Sequence, residues 1–465
     1  MTDESAVMKS FTVPSGVLRV LHVLESAGFE AWLVGGCVRD HLRGIAPKDY
    51  DVTTSASAAQ VTAAFDGFRV IETGVRHGTV TVISDAVPVE VTTYRIDGAY
   101  SDGRHPDSVR FTSEIADDLS RRDFTVNAMA YAPGRGYVDL FGGMNDLQSG
   151  IIRCVGEPQK RFGEDALRIL RALRFASVLG FEIEPRTSQA IHQCKGLLER
   201  IAVERITQEL FGLLCGVDAE RILRQYSDVI AGIIPPCGEM FGFEQHNPHH
   251  DFDVWEHTLR VIGESPPDRM MRLSALLHDI GKPRCFTLGE DGVGHFYGHA
   301  GISEEIAGEV FRRFIRTDKR TEQRVIFLVG HHDEPLLPDR RIMRRRLAKY
   351  GEEALRQLIA LHRADVKGQT QQNVMSKLEE LDRVEQILNA LTEESACTTL
   401  RSLEISGGDL MAMGIPKGPL IGKILSSLLS EVCDERLVNS PEALRARAAA
   451  IYEDFKSPSN TKDNQ

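Results

Sequence analysis

The chain has 465 residues, 42% of them hydrophobic, with a formal net charge of -12 and eight cysteines. That length suggests about three domains; no run of about eighteen apolar residues is present to span a bilayer, the polar, acidic opening MTDESAVMKS is unlike a secretory signal, and the cysteines stand singly, against a disulfide framework or a zinc finger. A cytoplasmic protein is therefore expected, and the negative total does not exclude nucleic acid, because local basic clusters such as DRRIMRRRLAK at residues 339 to 349 decide phosphate binding.

In chain order, VLRVLHVLESAGF has helical spacing, EAWLVGG is a short strand ending in Gly35 and Gly36, and CVRDHLRG resumes as a helix. The glycines let phosphate oxygens approach amides at that helix start, with Arg39 on the first turn to pair with a triphosphate. The plain alternative is a tight strand-to-helix turn, and no Gly-Lys-Ser/Thr follows to make a Walker A loop. DYDVTTSA, FRVIET, GTVTVIS and VPVEVTTYR are β-rich, with turn residues between them. Asp49 and Asp51 lie one residue apart, and positions i and i+2 of a strand share a face. Like charges so close repel unless a proton or cation sits between them. Hard oxygens suit Mg2+, which binds through one or two carboxylates and completes its shell with water and phosphate; Glu90 on a neighbouring strand would add a third carboxylate. The alternative is a D-x-D on a solvated strand edge.

RRDFTVNAMAY offers Arg122 to phosphate and Asp123 to a ribose 2'-hydroxyl, or is an Arg-Asp surface pair, with Phe124, Val126 and Met129 as core. From about residue 160 the pattern is almost wholly helical: EDALRILRALRFASVLG, SQAIHQCKGLLERI and ERITQELFGLLCG are amphipathic and end in glycine or polar residues. Asp165 and Arg168, three apart, are expected on one helix face. An acceptor beside a donor matches the Watson-Crick edge of cytosine or adenine and leaves groups unpaired against uracil or guanine. Arg171 and Arg174 extend the stripe toward phosphate or base; the alternative is a surface of ordinary ion pairs. IIPP and SPP mark a boundary after residue 230.

An ordered set follows: His257 in DVWEHTL, His278 and Asp279 in LLHDIGKP, His299 in FYGHA, His331 and His332 in VGHHDE, and Asp365 in LHRADVKGQ. Imidazole with carboxylate suits Mn2+, Ni2+ or Fe2+, and such an ion activates water against a phosphoester. His249 and His250 are expected to be loop residues. In ISGGDLMAMGIPKGPLIGKILSSLL, glycines precede a helix with Lys417 and Lys423 nearby, either for an RNA phosphate or as a helical hairpin. The closing PSNTKDNQ is expected to be disordered.

LVGGCVRD, KDYDVTTSA, RIDGAYSDGRHPDSV, RRDFTVNAMAY and EDALRILRALRFA, in this order between residues 30 and 180, resemble the motifs of class II CCA-adding enzymes, the tRNA nucleotidyltransferases, and their poly(A) polymerase relatives. The resemblance implies an α+β chain: a nucleotidyltransferase head with a mixed β-sheet over residues 1–150, an all-α neck over 151–235, a body over 236–370, a helical tail contacting tRNA over 371–457, and a disordered end over 458–465. It implies catalysis at Asp49 and Asp51 with Mg2+, base choice by Asp165 and Arg168, and tRNA, CTP and ATP as partners; neither DNA nor a membrane is expected. The His/Asp series resembles the HD phosphohydrolase superfamily, which implies His257, His278, Asp279 and Asp365 as a first metal shell, with His299, His331 and His332 as candidates for a second ion, and phosphatase or cyclic phosphodiesterase activity on RNA ends. The full-length RIDGAYSDGRHPDSV loop disfavours CC-only addition. A-only or poly(A) addition, an HD hydrolase with an RNA-binding head, and a nucleotide-sensing regulator stay open as alternatives.

Overall fold

The computed structural model describes residues 11–74, 78–98, 100, 108–246, 252–369, 374–394, 400–434 and 436–456. MTDESAVMKS, most of the RIDGAYSDGRHPDSV loop, His249 and His250, and PSNTKDNQ lie outside the described residues. The chain divides into two compact units, Met1–Gly238 with Arg312–Thr317, and Glu239–Phe311 with Asp318–Gln465. The fold is mixed α+β with an N-terminal mixed sheet and many helices, as expected. Among the described residues no helix is long and apolar enough to cross a membrane.

The first unit holds strands β1 (Ala31–Val34), β2 (Asp51–Thr54), β3 (Arg69–Gly74), β4 (Thr79–Ser84), β5 (Val87–Thr93), β6 (Arg95–Asp97), β7 (Val109–Phe111), β8 (Met129–Ala132) and β9 (Gly136–Asp139). Seven of them form one sheet in the order β3-β4-β5-β2-β1-β8-β9, and β6 pairs with β7. Within the large sheet only β2 and β5 run parallel. AWLV in β1 is buried throughout, as a central strand requires, whereas TVTVIS in β4 alternates buried with half-buried residues. Helix Ser15–Ser26 lays Val17, Val20, Leu21 and Leu24 into the same core.

Six α-helices follow in this unit from Pro158–Glu164 to Ser227–Ile233. Leu167–Leu179 packs along Val203–Leu214 and ends at Gly180 in the left-handed conformation. In the second unit, helix Val254–Glu264 lies against Glu352–Gly368. Asp253, Asp268, Asp318 and Asp339 each accept a hydrogen bond from an amide of the helix they precede, the local signal that starts each one. Helices Gly407–Ala412, Pro419–Cys433 and Pro441–Lys456 close over a separate small core that includes Leu410, Ile424, Leu428 and Leu444.

Candidate active site

Because β1 and β2 are antiparallel, the end of β1 at Val34 lies opposite Asp51 at the start of β2, and the parallel neighbour β5 sets Glu90 in register with Asp51. The chain leaves β1 through Gly35, whose φ of +74° favours glycine. A Cβ at Gly35 would stand 3.1 Å from Arg122 Nη1 and 4.0 Å from Asp51 Oδ2, so bare backbone turns directly beside both groups. Gly36 opens a short helix, on which Arg39 donates to Asn127 Oδ1 at 2.7 Å and pairs with Asp40 at 2.8 Å. Asp49 is exposed and precedes the strand, so the D-x-D straddles the strand start instead of lying within it.

Asp51 is open to solvent, yet packed neighbours desolvate it enough that burial is the largest cause of a pKa pushed up to about 6, followed by the charges of Glu90 and Asp49, with Arg122 opposing. A cation relieves this mutual repulsion, and three hard carboxylates fit one. The trio is more open than the histidine clusters described below, whose ligand atoms converge within 4.8 Å. Arg122 is anchored by Asp118, a fully buried carboxylate that also takes Arg121 Nη2 at 2.7 Å. Arg122 Nε is buried with no hydrogen-bond partner among the described residues. Asp118 escaped the sequence reading, although it precedes Arg121 and Arg122 by three and four positions, the spacing of one helical turn.

Asp123 is not a free acceptor: Phe124 N at 2.8 Å, Asn127 Nδ2 at 3.3 Å, and Arg171 Nε and Nη2 at 2.9 and 2.6 Å occupy it. Burial raises its pKa, but Arg171 and the Phe124 amide prevail and hold it down to about 2. Arg174 donates to Glu209 at 2.5 Å. Arg39, Arg171 and Arg174 surround the ring of Phe175, at 5.3, 5.4 and 4.3 Å from its centroid.

The neck pair departs from its expected geometry. Asp165 is extended, with φ at -141°, between two helices, and its side chain caps Leu167 N at 3.0 Å and takes Arg205 Nη2 at 2.8 Å. Arg168 lies on the second helix and donates to Glu164 at 2.6 Å. The two residues therefore do not share one helix face; each is paired with another group, Arg205 and Glu164, that spacing did not reveal.

In the second unit the histidines converge on Asp279. His278 Nε2 lies 3.2 Å and His257 Nε2 3.5 Å from its Oδ2, while His299 and His332 present Nε2 to its Oδ1, each at 3.4 Å. Asp365 Oδ1 closes the first group at 2.9 Å from His257 and accepts through its other oxygen from Gln369 at 2.9 Å. Each of the four rings faces a backbone carbonyl with Nδ1: Gly368, Ala275, Phe296 and Val329. That leaves Nε2 as the outward nitrogen, the arrangement of a metal-ligating imidazole. Nε2 atoms face one another at 3.4 Å for His257 and His278 and 3.1 Å for His299 and His332, and the Lys282 ammonium lies 2.7 Å from the buried Asp279 Oδ2. Imidazole nitrogens that face one another around one carboxylate fit bound cations, which both nitrogens of a facing pair can ligate. Burial lowers the pKa of His299, while Asp279 stays well below the usual carboxylate range because His278 and Lys282 outweigh its burial.

His331 does not join this centre. Its Nδ1 faces Phe327 O at 2.9 Å and its ring stacks on Phe327, so its candidacy for a second ion is withdrawn. His362, not singled out from sequence, is pushed down to about 4 chiefly by burial, and it lies one helical turn before Asp365. In the tail, Gly418 caps Pro419–Cys433 with Lys417 and Lys423 exposed, and on the basic helix Arg340–Tyr350, Arg340 pairs with Glu394 and Arg345 with Asp434.

Residues 31–153 match the family model described as the poly A polymerase head domain. Residues 180–228 match the family model described as "Probable RNA and SrmB-binding site of polymerase A", and residues 296–448 the one described as "tRNA nucleotidyltransferase domain 2 putative". The chain is 31% identical over 433 residues to a CCA-adding enzyme of Limosilactobacillus fermentum, covering 93% of this chain and 96% of that one. It is 32% identical over 462 residues to that of Leuconostoc citreum, covering 97% and 100%. The Bacillus stearothermophilus CCA-adding enzyme solved in complex with CTP superposes with a TM-score of 0.70 at 27% identity, over 95% of this chain and 98% of that one.

Proposed function

The chain belongs to the family of CCA-adding enzymes, and from that premise we propose that it completes the 3' end of tRNA with cytidine and adenosine taken from CTP and ATP without a template. The observation that carries this reading is the register of Asp51 against Glu90 beside Gly35 and Arg122. The 3'-hydroxyl oxygen of the tRNA bonds to the α-phosphorus, the bond from that phosphorus to the β-bridging oxygen breaks, pyrophosphate leaves, and the hydroxyl proton passes to solvent. Asp49, Asp51 and Glu90 are the residues to hold Mg2+, which supplies positive charge to the attacking and leaving oxygens. Arg122, with an open buried donor, and the Gly35–Gly36 backbone are placed to receive the triphosphate. The experiment is extension of tRNA ending before CCA, after C and after CC, with CTP, ATP or both. All three reach a complete CCA and stop; extension of only the CC-ended transcript overturns this in favour of an A-adding enzyme, and continued ATP incorporation favours a poly(A) polymerase.

Base choice is assigned to Asp165 as acceptor and Arg168 as donor. Arg205 steadies the Asp165 carboxylate with a charge-assisted bond at 2.8 Å, and Glu164 does the same for Arg168 at 2.6 Å. Arg205→Ala is expected to raise KM for CTP and ATP about five- to tenfold, the loss of one such bond on the order of 1 kcal/mol, with a smaller change in kcat and increased incorporation of UTP. Steady-state kinetics with all four nucleotides checks it.

The convergence of four Nε2 atoms on Asp279 favours a second reading: a phosphohydrolase that trims 3'-phosphate or cyclic phosphate from RNA ends. A water oxygen bonds to phosphorus, the ester P–O bond breaks, and the departing oxygen takes the proton of the water. His257, His278, Asp279 and Asp365 are the residues to hold Mn2+, Ni2+ or Fe2+, which supplies Lewis acidity, with His299 and His332 completing a second position. Purified protein is expected to carry such a metal in elemental analysis; Asp279→Ala loses it, and His331→Ala keeps it.

A further inference from the structure

The polar chemistry around Asp279 accounts for a phosphate but not for what lies at the mouth of its cavity. That cavity, of about 310 Å3, is walled by Asp279, Lys282, His299 and His332 within and by Phe296 and Tyr297. Phe296 is an anchor: it packs against Phe286, and Lys282 Nζ stands 5.3 Å from its ring centroid. Tyr297 also lines the cavity and is 76% exposed. Single exposed aromatics are common and need no function, but this one is oriented: its ring stacks on His295 at 5.3 Å and 13°. Gly298, at φ +72°, then turns the chain into the helix that begins with His299, so the stacked pair stands two residues from a group of the phosphate-facing cluster. Two parallel rings beside a polar cavity with room for more than a phosphate are a ready platform for a third flat ring, since base–aromatic stacking is favourable for every base.

We propose that Tyr297, backed by His295, is a nucleobase-stacking subsite, so that this cavity takes a nucleoside phosphate, such as the terminal nucleotide of an RNA, in preference to a simple phosphoester. The proposal rests on the phosphohydrolase reading. The test compares adenosine 3'-monophosphate with glycerol 2-phosphate, which has no ring, in wild type, Tyr297→Ala and Tyr297→Phe. Tyr297→Ala raises KM for the nucleotide about tenfold relative to that for glycerol 2-phosphate, and Tyr297→Phe restores the preference. Equal changes on both substrates, or no change on either, overturn the platform while leaving the hydrolase intact. If wild type hydrolyses neither substrate, the hydrolase reading fails, and the platform is judged by calorimetric binding of adenosine 3'-monophosphate: one site fewer in Tyr297→Ala supports it, and identical isotherms overturn it.

Discussion

Asp51→Ala lowers CTP and ATP incorporation by about a thousandfold or more, equivalent to roughly 4 kcal/mol of barrier, with KM for either nucleotide changed far less. Asp51 is the point where three structural lines meet: the start of β2, the register with Glu90 and the glycine turn after β1. Its carboxylate is the one whose pKa is pushed up to about 6, by burial first and then by Glu90 and Asp49. A carboxyl raised above its ordinary value binds its proton more tightly in the folded chain, so folding stability falls as pH rises from about 4 to about 6 and stays lower above that. Asp51→Asn is therefore expected to stabilise the metal-free protein above pH 6 by roughly 1 kcal/mol, the full shift being discounted for the solvent exposure of the group, and to give nothing below pH 4. Loss of transfer together with a higher Tm in EDTA identifies a residue kept for chemistry at a cost in stability. Normal transfer by Asp51→Ala, measured on a CC-ended tRNA with ATP, sinks the assignment.

What could be read in the sequence was what depends on short-range periodicity. Period-two alternation placed Glu90 on a strand, and a glycine pair after an apolar run marked a turn that does adopt positive φ at Gly35. The same reasoning failed at Asp165, because an Asp competes for local backbone donors: its carboxylate caps Leu167 N, the helix starts two residues later, and the three-residue spacing to Arg168 loses its helical meaning. Arg205 and Glu209 were invisible for a different reason. Their partners Asp165 and Arg174 are 40 and 35 positions away, brought close only when helix Val203–Leu214 packs on Leu167–Leu179. The histidine series was legible as a set, but not which of two adjacent histidines belongs to it. On a helix, neighbours diverge by about 100°, which sends His332 toward Asp279 and His331 toward Phe327.

Asp118→Ala is expected to destabilise the first unit by about 3 kcal/mol, the low end for removing one partner of a buried charge cluster because its two arginines are only partly buried. For a unit of this size that corresponds to a Tm lowered by about 6 to 12 °C. The carboxylate is fully buried and takes Arg121 Nε and Nη2 on one oxygen, at 3.1 and 2.7 Å, and Arg122 Nη2 on the other, at 3.3 Å. Burial alone would raise its pKa; Arg122 and then Arg121 more than offset that, and the folded value lies below the ordinary one. A depressed carboxyl contributes stability above the unfolded pKa that is lost as pH falls through the folded value, so the gap between wild type and Asp118→Asn is constant from pH 5 to 8 and closes below pH 4. Activity should suffer beyond stability. Arg122 stands against Gly35 and Asp51, and the carbonyl of Arg121 accepts from Arg168 Nη2 at 3.3 Å, so one buried carboxylate positions both the group assigned to phosphate and the donor assigned to the base. A double-mutant cycle with Arg122→Ala separates the two effects. If Asp118 acts through Arg122, its substitution costs little further incorporation once Arg122 is gone; fully additive losses would show that it acts apart from Arg122, through Arg121 and Arg168 or through the fold.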